Sequence, residues 1–364
     1  MGESISFVGL DVHANQTCLV AIDHATGELT KARLHTAPTG VIGHLKALAP
    51  LHAVYEAGPT GLSLARQAQA QGLDVRICTQ GSASRNPNDR VKTDMRDAER
   101  LARLLAAGEL TFARIPTVEE ERFRDLIRAR EDIRHDLMRA RHRLSKFLLR
   151  RELRYPRAGR AWCRDFMDWL RALSFEDEPS RQVLIDYLGA VEALLQRRSV
   201  LNEAIERLWP QSPHVETISR LRSFRGIDTL TAAGLCAEIG DFCRFQKPKQ
   251  LSGFLGIVPQ EWTTGEVRRQ GAITKAGPTH ARRLLVEAAH HCRHQPRMTE
   301  QLARRQRGVD PRVVAIAWRA QHRLHTRWSA LRLERKKPAG VVSVALAREL
   351  AAFLREAATL DRTR

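Results

Sequence analysis

The sequence predicts an α/β fold followed by an α-rich remainder: a mixed sheet with helices on its faces, then long basic helices, then a mainly helical C-terminal part. Three observations carry this. Strand and helix signals alternate over roughly the first 110 residues, strand signals fade from about Val118 to Trp209, and helical periodicity dominates thereafter. A chain of 364 residues has room for two or three domains. The expected division is 1–112 for the sheet domain, 113–215 for a helical, coiled-coil middle, 216–308 for the C-terminal domain and 309–364 for a basic helical tail.

SISFVGLDV, QTCLVAID and KARLHTA, joined by tight turns such as ATGEL, read as three short strands that can pair antiparallel. VIGHLKALA is helical, LHAVYEA a buried strand, GLSLARQAQAQG a helix closed by glycine, and LDVRICT another buried strand. After the polar loop GSASRNPNDR comes a helix from about Thr93 to Ala107, with Ala98, Leu101, Leu104 and Leu105 on one stripe. The order β-β-β-α-β-α-β-α puts helical crossovers before the last two strands, which makes the sheet mixed. Phe123, Leu126, Ile133, Leu137, Ala140, Leu144 and Phe147 then follow a heptad-like spacing interrupted by Arg130. With a second helical stretch from about Ser180 to Leu208, this predicts a hairpin, closed within the chain or paired with a second copy. RSFRGIDTLTAAGLCAEIGD, with its turn at Gly226, resembles a helix-hairpin-helix whose backbone N–H groups face phosphate.

Sixty Lys and Arg against 41 Asp and Glu give a formal net charge of +19. Arginine supplies most of it, and its planar fork suits phosphate, so a nucleic-acid partner is the leading inference over a merely solvated basic surface. The six cysteines contain no C-x-x-C pair, which argues against a zinc ribbon or a disulfide framework. No apolar run is long enough to cross a bilayer, and MGESISFVGLDVH has no basic segment before its apolar stretch. The expected location is cytoplasmic, on the nucleoid when acting.

Carboxylates stand out against this basic background. Asp94 and Asp97 are three apart at a helix start, hence on one face, where they repel unless a cation lies between them. Asp11 ends the first strand and Glu56 the fourth, positions where open α/β sheets place their chemistry. Converging, the four would form a hard oxygen site for Mg²⁺ or Mn²⁺. The alternative makes Asp94 a cap-like residue and Asp97 a first-turn carboxylate of an ordinary helix.

GLDVH, YEAGPTG and KTDMRDAERLA, followed by SFRGIDTLTAAGLCAEIGDFCRF, LSGFLGIVPQEWTTGE and GAITKAGPTHARRLLVEAA, resemble the DEDD insertion-sequence transposases of the one-ten family, which include the Piv and MooV invertases. The resemblance covers nearly the whole chain. It implies a ribonuclease H-like sheet of the RuvC type, with Asp11, Glu56, Asp94 and Asp97 holding Mg²⁺. It also implies a C-terminal hydroxyl nucleophile that attacks a DNA phosphate and releases a 3′ hydroxyl, a bridge RNA pairing with donor and target DNA, and a composite site in a homodimer or homotetramer. The family's Ser-Gly reads Thr-Gly here, so Thr264 takes the nucleophile's place, with Thr263 beside it; threonine offers the same hydroxyl with a stiffer χ1. Pro278 stands where the family commonly has asparagine. Arg268, Arg269 and Lys275 follow as phosphate clamps, with Arg282 and Arg283 continuing the basic character. Without the resemblance, TTGEVRR reads as a polar hairpin turn. Two other functions fit the same residues: a RuvC-like nuclease in which water attacks the phosphate, and an inactive nucleic-acid-binding relic.

Overall fold

A computed structural model describes residues 4–35, 37–58, 60–79, 93–156, 161–264 and 267–361; at 263, 264, 267 and 268 it describes the backbone alone. The polar loop expected at 81–90 lies outside the described residues. The chain divides into two compact units, Met1–Pro116 and Thr117–Arg364.

In the first unit, β1 (Ser6–Val12), β2 (Thr17–Asp23) and β3 (Leu29–Leu34) form an antiparallel meander, followed by α1 (Pro38–Ala47), β4 (Leu51–Glu56), α2 (Ser63–Gln69), β5 (Asp74–Cys78), α3 (Asp94–Ala106) and the short β6 (Phe112–Ala113). The sheet order is β3-β2-β1-β4-β5-β6, with β4 parallel to both β1 and β5. This is the expected mixed sheet, extended by β6 on the far edge.

Strand alternation divides the sheet cleanly into two faces. Val8, Leu10, Leu19, Ala21, Ala53, Tyr55, Val75 and Ile77 point to one face and pack with Val41, Leu45, Leu64 and Ala68 of α1 and α2. Cys18, Val20, Val54 and Cys78 point to the other, where α3 lays down Ala98, Leu101 and Leu105. By the same period of two, Gly9, Asp11 and Glu56 belong to the α3 face.

Gly9 sets how near α3 comes. A Cβ at this position would lie 2.0 Å from the carbonyl oxygen of Ala98 and 2.6 Å from the nitrogen of Ala102, so the helix backbone rests on the glycine itself. Thr93 caps α3, its side chain accepting from the Arg96 N–H at 3.3 Å. The capping role therefore does not fall to Asp94 or Asp97, which sit half-buried in the first turn.

The second unit begins with α4 (Val118–Leu149), opened by a capping box between Thr117 and Glu120. The short α5 (Arg164–Ala172) and the long α6 (Glu178–Leu208) return along it. The heptad-spaced Leu137, Ala140, Leu144 and Phe147 are buried within the chain against Leu184 and Val191 of α6 and Leu170 of α5. There follow α7 (Val215–Leu221), α8 (Thr229–Ile239), α9 (Pro248–Phe254), a hairpin of β7 (Pro259–Thr264) and β8 (Val267–Ile273), then α10 (Thr279–His290), α11 (Glu300–Gln306), α12 (Pro311–Ser329) and α13 (Ala339–Ala358). The last two helices are no loose tail: Val313, Ile316, Ala320, Leu346, Leu350 and Leu354 share one core with Ile218, Leu235, Leu251 and Leu285. Four of the six cysteines are buried and all are free thiols. No helix among the described residues is long and apolar enough to cross a membrane.

Replacing Gly9 with alanine forces backbone to move and should cost roughly 1–3 kcal/mol in urea unfolding, the range for overpacking a tight site. Gly40→Ala is the control, because its added methyl meets nothing within 4 Å. Equal stability of the two variants would contradict the close approach.

Candidate active site

Asp11 is the penultimate residue of β1, and the ladder with β4 ends one residue earlier, at Leu10 paired with Tyr55. Asp11 and Glu56 are thus the next residues along two adjacent parallel strands, on the face that α3 covers. From above, Asp94 opens α3. Among the described residues, Asp11, His13 and Asp94 form a group whose potential ligand atoms all lie within 4.8 Å of one another. His13 Nε2 is 3.1 Å from Asp11 Oδ2 and 3.6 Å from Asp94 Oδ1. Gln16 donates to Asp94 Oδ2 at 3.4 Å.

Asp97 lies one turn further along α3, its carboxylate mostly buried and held by Arg100 at 2.9 Å. Glu56 is exposed at the end of its strand and lies outside the group of three. The sequence-predicted carboxylates thus share one face, with Asp11 and Asp94 in direct proximity. His13 was missed by the sequence reading. Its signal was its position two residues after Asp11, which the turn into β2 converts into contact.

Electrostatics mark the same spot. Burial pushes the Asp11 carboxyl above its ordinary value, the nearby Asp94 and Asp97 charges push the same way, and the His13 contact opposes them. Carboxylates crowded against their own repulsion are what a divalent cation relieves. Carboxylate oxygens with one imidazole are a donor set that could hold a divalent cation.

In the second unit, Thr264 is the last residue of β7 and pairs across the hairpin with Val267; Thr263 pairs with Arg268 and Trp262 with Arg269. The segment is therefore extended, as the alternation of Thr263 and Thr264 requires. The side chains of Thr263, Thr264 and Arg268 lie outside the described residues. Beneath them the hairpin is anchored by backbone. Thr274 N–H donates to Val258 O at 2.9 Å and Lys275 N–H to Gly256 O at 3.1 Å. A Cβ at Gly277 would meet Phe254 O at 1.9 Å, which explains the glycine of KAGP. Pro278 is the N-cap residue of α10, just outside the helix.

The basic residues of this region separate into two groups. Arg269 and Lys275 are exposed. Arg282 is buried and braces the hairpin base, donating to Leu255 O and Ala276 O at 2.9 Å each and to Thr279 Oγ1 at 3.0 Å. Arg283 is half-buried between Glu131 and Glu287, 2.7 Å from each. Gly226, at φ +80°, lets the α7–α8 turn approach α10, since a Cβ there would lie 2.6 Å from Ala288 O. An ionic network that no short motif reveals joins α4, α8 and α10: His280 sits between the buried carboxylates of Glu131 and Glu238, and the exposed Arg128 closes on Glu238 at 2.9 Å.

A mixed sheet of this order, with carboxylates at the carboxyl ends of its central strands beneath a covering helix, is consistent with a ribonuclease H-like domain. The comparisons give the family. A DEDD transposase profile matches residues 8–151, and the profile described as Transposase IS116/IS110/IS902 family matches residues 218–303. The putative transposase y4qE of Sinorhizobium fredii is 35% identical over 355 residues, covering 96% of this chain and 87% of that protein. The transposase for insertion sequence element IS1533 of Leptospira borgpetersenii is 30% identical over 344 residues, 91% of this chain and 98% of its own length. The chain belongs to the IS110 family of insertion-sequence transposases. It is a DNA-recombining enzyme.

Asp11 titrates higher in the folded chain than in the unfolded one, so the fold binds more protons at this group and loses stability as pH rises through its folded value. At pH 7 without divalent metal, Asp11→Asn should therefore melt above the wild type in calorimetry; a lower melting temperature would contradict the crowding. Glu238 has the opposite sign. Burial alone would raise its carboxyl, but hydrogen bonds from His280 and Arg128 outweigh that and bring it down to about 2. Its contribution is complete above the unfolded value near 4.5 and is lost as pH falls toward 2. Acid unfolding should show this loss, and Glu238→Gln should flatten it.

Proposed function

We propose that the chain cleaves and rejoins DNA at the ends of its insertion sequence, using Thr264 as the nucleophile, Asp11, Glu56, Asp94 and Asp97 as the holders of Mg²⁺, and a bridge RNA that pairs with donor and target. The observation that carries the reading is the convergence of Asp11 and Asp94 on one sheet face, with Asp97 and Glu56 on that same face. A divalent ion there would polarise the scissile phosphate and offset its charge.

The remaining work falls to the chain. Thr264 Oγ attacks the phosphorus of one phosphodiester, forming a threonine O–P bond as the bond from phosphorus to the 3′ oxygen breaks. The hydroxyl proton passes to an ordered water, and the 3′ oxygen leaves as a hydroxyl after taking a proton. Arg268, Arg269 and Lys275, on and just after the hairpin, offset charge on the phosphate as it is attacked. Arg282, whose donors hold carbonyls, acts through the position of the hairpin. The acting species is a homodimer or homotetramer.

The test is a denaturing gel for a covalent protein–DNA adduct, with purified protein, Mg²⁺, RNA transcribed from DNA flanking the gene, and labelled donor DNA. An adduct should form with wild type, be stronger with Thr264→Ser and vanish with Thr264→Ala. Cleavage without an adduct in all three would overturn the threonine route and make water the nucleophile.

A further inference from the structure

A cleft of about 300 Å³ opens in the second unit where α4, α6, α10 and the start of α8 meet, at the low end of the size of small-ligand sites. Arg130 and Arg134 reach it from α4, Arg198 from α6 and Arg283 from α10, against the carboxylates of Asp228 and Glu287. Four guanidinium groups around one small polar cleft need counter-charges, and the neighbouring carboxylates are already committed. Glu131, just behind the cleft, is held by Arg134 at 2.8 Å and by Arg283 at 2.7 Å. Glu287 pairs with Arg283. Asp228 caps α8, accepting from the Thr231 N–H at 2.8 Å.

Arg130 and Arg198 are left over. Arg130 Nε donates only to the neutral amide oxygen of Asn202, at 3.1 Å, and no ion pair to either arginine is found among the described residues. Both are half-buried. Burial disfavours the charge on Arg130; Glu131 and Asp228 attract it without pairing to it, Arg198 and Arg283 repel it, and the net effect is unfavourable to the charge. Arg198 repels Arg141 as well. The Arg283 Nε is buried with no partner. Guanidinium cannot escape such a setting by losing its proton, so an anion is the remaining remedy. Planar forks with free donors suit the paired oxygens of an oxyanion, and a phosphate presents such oxygens to several arginines at once.

We propose that this cleft binds a phosphate group, with Arg130 and Arg198 as its principal donors, and that the phosphate belongs to the backbone of a nucleic-acid strand. The source of the phosphate rests on the reading of the chain as a nucleic-acid enzyme; the site itself does not. A backbone contact of this kind positions a strand without reading its sequence.

Two arms of one experiment on the full chain separate the site from its source. In the first, the melting temperature is compared in inorganic phosphate and in chloride at equal ionic strength, for wild type, for Arg130→Gln with Arg198→Gln, and for a control with Arg139→Gln and Arg164→Gln, two exposed arginines away from the cleft. In the second, binding of a labelled oligonucleotide of mixed sequence is followed against salt. The expected result is a phosphate-dependent rise in melting temperature in wild type and control that is lost in the cleft variant. With it should come roughly tenfold weaker oligonucleotide binding and a salt slope smaller by about one. Loss of the phosphate effect with an unchanged salt slope would overturn the nucleic-acid source and leave a site for free phosphate. A cleft variant that keeps both responses would overturn the site.

Discussion

The contact on which the carboxylate-bearing face depends is the approach of α3 to β1 at Gly9. A sheet and a helix normally stand apart by the thickness of their side chains. Here one position has none, and the helix carbonyl of Ala98 occupies the space a methyl group would need. That lowers the first turn of α3 onto the end of β1, where the ladder with β4 has just finished and Asp11 points upward. Thr93 takes over the cap, so the carboxylates of the first turn are left to face the sheet. The cluster is therefore a product of backbone geometry, and its mutual repulsion is held in place by the packing of Ala98, Leu101 and Leu105 below it.

The net charge of +19 overstates the surface offered to nucleic acid, because many arginines serve the fold. Arg282 ties together the two loops at the base of the β7–β8 hairpin. Arg220 donates to the carbonyls of Ala357, Ala358 and Leu360 at the end of α13, and Arg225 to those of His294 and Gln295. Cations at the carboxyl ends of helices satisfy carbonyls that have no partner within the helix and complement its dipole. What remains for a polyanion is the smaller set that is exposed, or gathered without carboxylate partners, such as Arg130 and Arg198.

The first unit was legible in the sequence because its signals are local. Alternating apolar residues fixed which strand residues share a face, so Asp11 and Glu56 could be assigned to one end of the sheet, and the period of α3 put Asp94 and Asp97 together. The meeting of His13 with both Asp11 and Asp94 was not legible, since it depends on the path of a turn. The second unit hid more. Glu131 and His280 are 149 positions apart yet 3.5 Å from each other, a pairing no periodicity encodes. The segment after Val309 reads as a basic tail because its arginines dominate the composition, while the Val342, Leu346, Leu350 and Leu354 stripe that completes the core is spread over a whole helix. Arg282 and Arg283 look alike in sequence and differ in use because successive helix positions point about 100° apart.

The central claim is that α3, resting on β1, brings carboxylates together to hold a divalent ion. The measurement that tests it most directly is titration of Mn²⁺ into the metal-free full chain, followed by the loss of the free-ion signal in electron paramagnetic resonance, for wild type and Asp94→Asn. The account predicts a saturable site in wild type that is lost or strongly weakened when one carboxylate oxygen of Asp94 is replaced by an amide nitrogen. Equal binding by both proteins would contradict it, and with it the assignment of this sheet face as the catalytic centre.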